Sequence, residues 1–212
     1  MPLFKTITAH NQTTVYLWKI EESFDDLSQG VDLQQTHAER VAGMKSDIHR
    51  RGFLSIRHLL HQAGFVDQDL YYNEFGKPHL KDGTGISITH SFQYTGIIVG
   101  PKPVGIDIEK ERPKILRIAH KFTPLQEYRT LANDEAVIRK LSLVWCAKET
   151  LYKMFGQPGL SFLKHIDVDD FRLGVDFTTK ATIHFNGSKS RYRVHFDEFD
   201  GFSCAYGFPE DD

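Results

Sequence analysis

Cysteine is scarce in this sequence: Cys146 and Cys204 are its two cysteines among 212 residues. They have none of the close spacings by which cysteines bind a metal, and Cys146 lies in a strongly helical stretch. Their number and spacing predict two free thiols in a reducing compartment.

Long apolar runs and net charge are also lacking. No apolar run is long enough to cross a bilayer, and the first twenty residues, MPLFKTITAHNQTTVYLWKI, have no signal-peptide pattern. The formal charge of −2 gives no reason to expect a nucleic-acid binder. We therefore expect a cytoplasmic protein that binds neither membrane nor nucleic acid.

The residues that are present indicate a globular α+β protein. Hydrophobic residues make up 40% and charged residues 25%, which argues against general disorder. Periodicity and turn residues predict, in order, a strand at 14–20, helices at 33–62, a turn-rich stretch at 73–85, and strands at 86–91, 95–100 and 104–109. A helix start at 123–127, a helix at 135–155 and antiparallel sheet at 165–208 follow, the sheet with hairpin turns at Asn186-Gly187 and Asp200-Gly201. This order predicts two α+β halves, 1–103 and 104–212.

Two acids interrupt an otherwise apolar strand, VGIDIEK, at 104–110. Side chains alternate between the faces of a strand, so the isoleucines can be buried while Asp107 and Glu109 share the other face. One explanation is a solvated strand face. The other is a hard cation held by these oxygen ligands, with open space over Gly105 for a ligand.

A helix with the sequence LSLVWCAKETLYKMF follows at 141–155 and carries Glu149 and Lys153 four residues apart. Such a pair is most often a surface ion pair. With Asp107 and Glu109, however, Glu149 completes three carboxylates near a lysine, a set that suits Mg²⁺ bridging phosphates. Lys148 points towards the apolar stripe of the helix, where a structural role is expected.

These stretches resemble the 4′-phosphopantetheinyl transferase family, of the longer, surfactin-synthetase-activating (Sfp) type. VGIDIEK and WCAKETLYK resemble its paired signature, and three further segments agree in order, namely FGKP at 75–78, ITHS at 88–91 and FTPLQE at 122–127. The resemblance runs over nearly the whole chain. It implies two similar halves related by a pseudo-two-fold axis, a pseudo-dimeric monomer, with the active site at the junction of the halves.

The resemblance also implies a reaction. Members transfer the 4′-phosphopantetheine arm of coenzyme A to a serine of an apo acyl or peptidyl carrier protein and release adenosine 3′,5′-bisphosphate, as holo-carrier-protein synthases. By position, Asp107, Glu109 and Glu149 would hold Mg²⁺, with Mn²⁺ as the alternative. Glu149 would also take the serine proton, directly or through water, and Lys153 would contact the pyrophosphate.

The first half would contact the nucleotide of coenzyme A. The residues implied by position are His90 with Ser91 beside it, Lys77 in the G-K-P turn, and Arg50, Arg40 and Lys45 for the 3′-phosphate. Residues 110–122, which we call the basic segment, hold five Lys or Arg against one Glu. This segment is either a solvated connector or a docking surface for an acidic helix of the carrier protein.

Two other functions are alternatives to phosphopantetheine transfer. One is a magnesium-dependent phosphohydrolase or nucleotidyl transferase that uses the same three acids, and the other is a non-catalytic coenzyme A-binding module. The first leaves the K-E-x-x-x-K helix and the H-S strand unexplained. The second is disfavoured because Asp107, Glu109 and Glu149 are all present.

Overall fold

The computed structural model describes residues 3–9, 12–124 and 133–210. The fold is α+β, as predicted, and the chain divides into two compact units, Met1–Lys102 and Pro103–Asp212. Residues 125–127 of the predicted helix start lie outside the described ranges. No helix in those ranges is long and apolar enough to cross a membrane.

Unit 1 pairs an antiparallel sheet with one long helix. Its strands are β1 (Leu3–Thr8), β2 (Thr14–Lys19), β3 (Leu70–Tyr72), β4 (Pro78–Leu80), β5 (Gly85–Ser91) and β6 (Tyr94–Gly100), and its helices are α1 (Phe24–Ser28), α2 (Gln35–Ala42) and α3 (Asp47–Gln62). Four strands form a sheet in the order β1-β2-β6-β5, while β3 and β4 form a separate hairpin. A 3-10 turn at Asp67–Asp69 leads into β3.

The apolar stripe of α3 explains its packing. Phe53, Ile56, Leu59 and Leu60 are buried in one core with residues of β2 and β6. The predicted helical region 33–62 is in fact two helices, because the chain leaves helical geometry between Ala42 and Asp47. The sequence did not predict β1, α1 or the β3–β4 hairpin, since strands and helices of three to six residues carry too few periodic positions.

Unit 2 repeats the pairing of sheet and long helix with other connections. It contains β7 (Gly105–Lys110), α4 (Lys114–Ile118), α5 (Asp134–Phe155), α6 (Phe162–His165), β8 (Ile166–Val168), β9 (Thr178–Phe185), β10 (Ser188–Phe199) and β11 (Phe202–Pro209). The sheet order is β7-β11-β10-β9-β8, and every neighbouring pair is antiparallel.

Both predicted hairpin turns are confirmed. Asn186 and Gly187 join β9 to β10 with φ of 49° and 79°, and Asp200 and Gly201 join β10 to β11 with φ of 49° and 73°. Two consecutive positive φ values are the signature of the type I′ turn, which matches the twist of the flanking strands. The two turns fix the register of β9 with β10 and of β10 with β11, and β11 in turn pairs with β7.

Helix α5 is defined at both ends by its caps. Asn133 accepts a hydrogen bond from the Ala136 backbone N–H at the start, and Gly156 ends the helix with φ of 66°. Leu141, Val144 and Leu151 are buried among side chains of the sheet. The helix therefore lies across the sheet and carries Glu149 and Lys153 to β7.

Candidate active site

The two acids of β7 face α5. Ile106 and Ile108 are fully buried, as the alternation predicts, while Asp107 is buried and Glu109 half-buried on the face that meets the helix. Side chains of α5 hydrogen-bond both carboxylates. A solvated strand face is thereby excluded for Asp107.

Gly105 does not leave space for a ligand, contrary to expectation. A Cβ atom at this position would lie 2.3 Å from the backbone O of Thr150 and 2.9 Å from Cγ of Met154, both on α5. The glycine is required because the helix backbone approaches β7 too closely at this point for a Cβ atom. It allows the close approach that brings the acids of the strand under the helix.

Lys153 binds the strand rather than its helical neighbour. Its Nζ donates to Asp107 Oδ1 at 2.8 Å and to the backbone O of Ile106 at 2.9 Å. The indole Nε1–H of Trp145 donates to Glu109 Oε1 at 3.3 Å. Glu149 lies near enough for the charges of Asp107, Glu109 and Lys153 to act on it, so the four predicted side chains are brought together. The expected Glu149–Lys153 ion pair is not found among the described residues, where Lys153 pairs with Asp107.

The carboxylates act on one another electrostatically. Burial, and then the charge of Asp107, raise the pKa of Glu149 to about 7, although Lys153 opposes the shift. The pKa of Glu109 is also raised, by burial and by Asp107, against the hydrogen bond from Trp145. Three oxygen donors whose charges repel one another are the kind of set that a hard divalent cation stabilises.

The fit to Mg²⁺ therefore rests on the chemistry of the donors. Within the described ranges, no group of three His, Cys, Asp or Glu side chains is arranged to hold a metal ion as it stands. Lys153 Nζ occupies Asp107 Oδ1 instead. The metal assignment of Asp107, Glu109 and Glu149 stays a prediction.

The raised pKa of Glu149 predicts a stability change. Because the folded-state pKa of about 7 exceeds the ordinary 4.5, stability from its protonation is fully present below about pH 4.5 and lost as the pH rises through 7. Glu149→Gln removes this loss, because its side chain has no charge at either pH. The free energy of unfolding of Glu149→Gln minus that of the wild type, measured with urea, should therefore be about 2 kcal/mol larger at pH 8 than at pH 4.5. The matched Glu135→Gln, at an exposed position near the start of α5, should show no such difference. A Glu149→Gln effect that is equal at both pH values would contradict the shift.

Lys148 has the structural role that the sequence predicts. Its side chain is buried, and Nζ donates to the backbone O of Phe162 at 2.8 Å and of Ile166 at 2.6 Å. These bonds fasten α5 to α6 and to the start of β8. Cys146 and Cys204 are not joined in a disulfide, as predicted, and both side chains are buried.

Unit 1 contains a cleft of about 310 Å³ that includes two of the predicted nucleotide contacts, Arg40 and His90. Its other lining residues are Met44, His49, Gly52, Phe53, Ile56, Arg57, Tyr72, Ile88 and Thr89. The His49 and His90 rings lie 5.4 Å apart. The sequence analysis did not predict Arg57 as a residue of this cleft. Its position among the buried apolar residues of α3 could have indicated it, because a buried arginine needs a partner.

The other predicted contacts of unit 1 lie apart from this cleft lining. The Arg50 guanidinium stacks 3.9 Å from the centre of the Phe24 ring, and Lys45 is exposed. Burial lowers the pKa of Lys77, which is half-buried before β4. Ser91 is buried at the end of β5. Their roles stay predictions.

Sequence comparison defines the class of protein that carries this site. A family model for the 4′-phosphopantetheinyl transferase superfamily matches residues 103–207, which include all four clustered residues of unit 2. The chain belongs to this superfamily and is an enzyme, a 4′-phosphopantetheinyl transferase.

Individual relatives support the same membership over most of the chain. The 4′-phosphopantetheinyl transferase Sfp of Bacillus subtilis (strain 168) is 30% identical over 183 residues, which cover 79% of each chain. The 4′-phosphopantetheinyl transferase gsp of Aneurinibacillus migulanus is 26% identical over 191 residues, or 86% of this chain and 78% of the relative. The 4′-phosphopantetheinyl transferase psf-1 of Bacillus pumilus is 31% identical over 118 residues, or 52% of this chain and 50% of the relative.

Proposed function

We propose that this enzyme transfers 4′-phosphopantetheine from coenzyme A to a serine of an apo acyl or peptidyl carrier protein, with Mg²⁺, and releases adenosine 3′,5′-bisphosphate. The observation that carries the proposal is the meeting of Asp107 and Glu109 on β7 with Glu149 and Lys153 on α5. Membership of the transferase superfamily supports it.

The side chains of unit 2 would divide the chemistry among them. Asp107, Glu109 and Glu149 would hold Mg²⁺, which supplies charge neutralisation at the pyrophosphate when bound. Lys153 would exchange its bond to Asp107 for a pyrophosphate oxygen, since its Nζ is already held beside the acids.

The acceptor serine has to lose a proton during transfer. Its oxygen would attack the β-phosphorus as the bond from that phosphorus to the leaving nucleotide phosphate breaks. The proton would pass to Glu149, directly or through water. A carboxylate whose pKa is raised to about 7 is well matched to accepting a proton near neutral pH.

Unit 1 would supply the nucleotide contacts, and unit 2 the metal and catalytic contacts. Arg40 and His90, which line the cleft of unit 1, are the best supported of the first group. Lys77, Ser91, Arg50 and Lys45 complete it as proposals. We further propose that the units are similar halves of a pseudo-dimeric monomer, related by a pseudo-two-fold axis, because each packs one long helix on an antiparallel sheet.

Intact-mass spectrometry tests the proposed reaction. The protein would be incubated with coenzyme A, MgCl₂ and several apo carrier proteins, and each carrier weighed. We expect one phosphopantetheine added per carrier, lost with EDTA and in Glu149→Gln but kept in Glu135→Gln. Consumption of coenzyme A without a gain in carrier mass would contradict transfer and favour hydrolysis.

We also propose that the basic segment docks the carrier protein. Arg112, Lys114 and Arg117 are exposed on it. The segment ends at an apolar groove of about 390 Å³ lined by Ile118, Lys121, Phe122, Trp145 and Phe162. A positive rim beside an apolar groove suits an acidic amphipathic helix, since charge steers the encounter and the apolar area gives affinity.

Charge reversal tests the docking surface. Changing Arg112, Lys114 and Arg117 together to Glu should raise the KM for the carrier by about tenfold or more and leave the KM for coenzyme A within twofold. The matched control reverses three exposed charges on β9 and β10, namely Lys180, Lys189 and Arg191. Steady-state kinetics with each substrate varied would separate the two constants. An unchanged carrier KM, or an equal rise in the control, would remove the proposal.

A further inference from the structure

A buried carboxylate in unit 1 fastens three segments of the chain together. Asp67 is only 4% exposed and lies in the 3-10 turn before β3. Its oxygens accept hydrogen bonds from Arg57 Nε at 2.8 Å, on α3, and from the Gln34 backbone N–H at 2.9 Å, at the start of α2. The Nδ1 atom of His37, also on α2, lies 2.8 Å from Asp67 Oδ1.

The side chain of Gln34 strengthens the same junction. Its Nε2 donates to the backbone O of Asp67 and of Leu70, both at 2.9 Å. Gln34 is the N-cap residue of α2, but its side chain makes no capping bond to the helix and instead binds the segment that holds Asp67. The position of α2 against α3 and β3 therefore depends on the groups around Asp67.

The two arginines near Asp67, Arg57 and Arg40, differ in whether a carboxylate neutralises them. Asp67 and Arg57 form a buried ion pair, with side-chain exposures of 1% and 3%, and Arg57 lies 3.4 Å from the centre of the Phe53 ring. Arg40 of α2 lies over the same ring and over Tyr72, at 5.7 and 5.3 Å, but is exposed and lines the cleft. Because Asp67 neutralises Arg57, the positive charge of Arg40 is left for a bound anion.

We propose that Asp67 is a positioning residue for coenzyme A: through α2 it holds Arg40 at the cleft, where Arg40 binds a phosphate of the nucleotide. The inference rests on the proposed function of unit 1. Asp67 itself touches no substrate, since its carboxylate is enclosed by Gln34, His37 and Arg57. Its removal should weaken nucleotide binding and leave the chemical step alone.

Nucleotide affinity is the direct readout. Asp67→Asn should raise the Kd for coenzyme A and for adenosine 3′,5′-bisphosphate at least tenfold by calorimetry, and leave kcat and the carrier KM within about twofold. The matched control is Asp69→Asn in the same turn, because the Asp69 carboxylate accepts from the Val66 backbone N–H and, among the described residues, makes no hydrogen bond to α2 or α3. Nucleotide affinity should be unchanged in Asp69→Asn.

A double-mutant cycle separates positioning from general loss of stability. Arg40→Gln should weaken nucleotide binding as Asp67→Asn does, and the double variant should bind little worse than either single variant. Additive losses would overturn the inference, as would unchanged affinity in Asp67→Asn. Failure of the wild-type enzyme to bind coenzyme A would overturn the proposed function as well, whereas wild-type binding with additive variants would overturn this inference alone.

Asp67→Asn leaves Arg57 as a buried cation without its carboxylate, which can prevent this variant from folding. A milder variant covers that case. Gln34→Met keeps the length of the side chain and removes the hydrogen bonds of Nε2 to Asp67, Leu70 and His37. We expect Gln34→Met to raise the Kd for coenzyme A about threefold. Added to Arg40→Gln, it should leave the Kd of that variant unchanged. An affinity equal to that of the wild type would count against the role of this junction.

Discussion

Asp107→Asn is expected to reduce phosphopantetheine transfer by about a thousandfold, the scale at which loss of one preorganised charged group lowers the rate. The substitution keeps the shape of a side chain that is only 6% exposed and removes the charge that Lys153 and the proposed metal ion share. It also removes a negative charge that raises the pKa of Glu149. The rate would be measured as carrier mass gained per minute at saturating coenzyme A and MgCl₂.

Folding has to be separated from chemistry in this variant. Asp134→Asn is the matched control, because Asp134 is exposed in the first turn of α5, about 22 Å along the helix from Glu149. It should transfer at the wild-type rate. Circular dichroism should show both variants folded. Near-wild-type transfer by a folded Asp107→Asn would contradict the assignment of Asp107 to the active site.

Gly105→Ala is expected to destabilise the protein by about 3 kcal/mol or more. The added Cβ would meet the backbone O of Thr150 at 2.3 Å, and a helix backbone cannot rotate aside as a side chain can. Thr150 is held further by its Oγ1, which donates to the backbone O of Ala205 at 3.0 Å. The strand and the helix would have to separate, and the acids would lose their contacts with α5.

Urea unfolding measures this loss directly. Gly43→Ala is the matched control, because a Cβ there would make only ordinary contacts of 3.6 and 3.7 Å and the φ of Gly43 is −77°. Its free energy of unfolding should change by less than about 1 kcal/mol. A Gly105→Ala variant as stable as Gly43→Ala would mean that β7 and α5 do not approach as closely as described.

The sequence predicted the parts of the site that depend on local periodicity. Alternation along β7 correctly put Asp107 and Glu109 on one face, and helical spacing put Glu149 and Lys153 on one side of α5. The type I′ turn residues also predicted two hairpins of unit 2. In each case neighbouring residues alone determine the geometry.

The sequence could not predict contacts in which two elements compete for one side chain. Helical spacing paired Lys153 with Glu149, but Asp107 is closer once α5 lies on β7. Gly105 was assigned to a ligand because the approach of α5 is invisible in the strand alone. Asp67 lies in a short turn without periodicity, so nothing in its neighbours indicated that Arg57 and His37 would converge on it.

Metal titration tests the central claim most directly, that Asp107, Glu109 and Glu149 together hold one cation. Mn²⁺ would be titrated into the enzyme with and without coenzyme A, and free Mn²⁺ followed by electron paramagnetic resonance. We predict one Mn²⁺ per chain, displaced by Mg²⁺, with at least a tenfold loss of affinity in Asp107→Asn, Glu109→Gln and Glu149→Gln and none in Glu135→Gln. One Mn²⁺ bound with wild-type affinity in all three variants would contradict the claim.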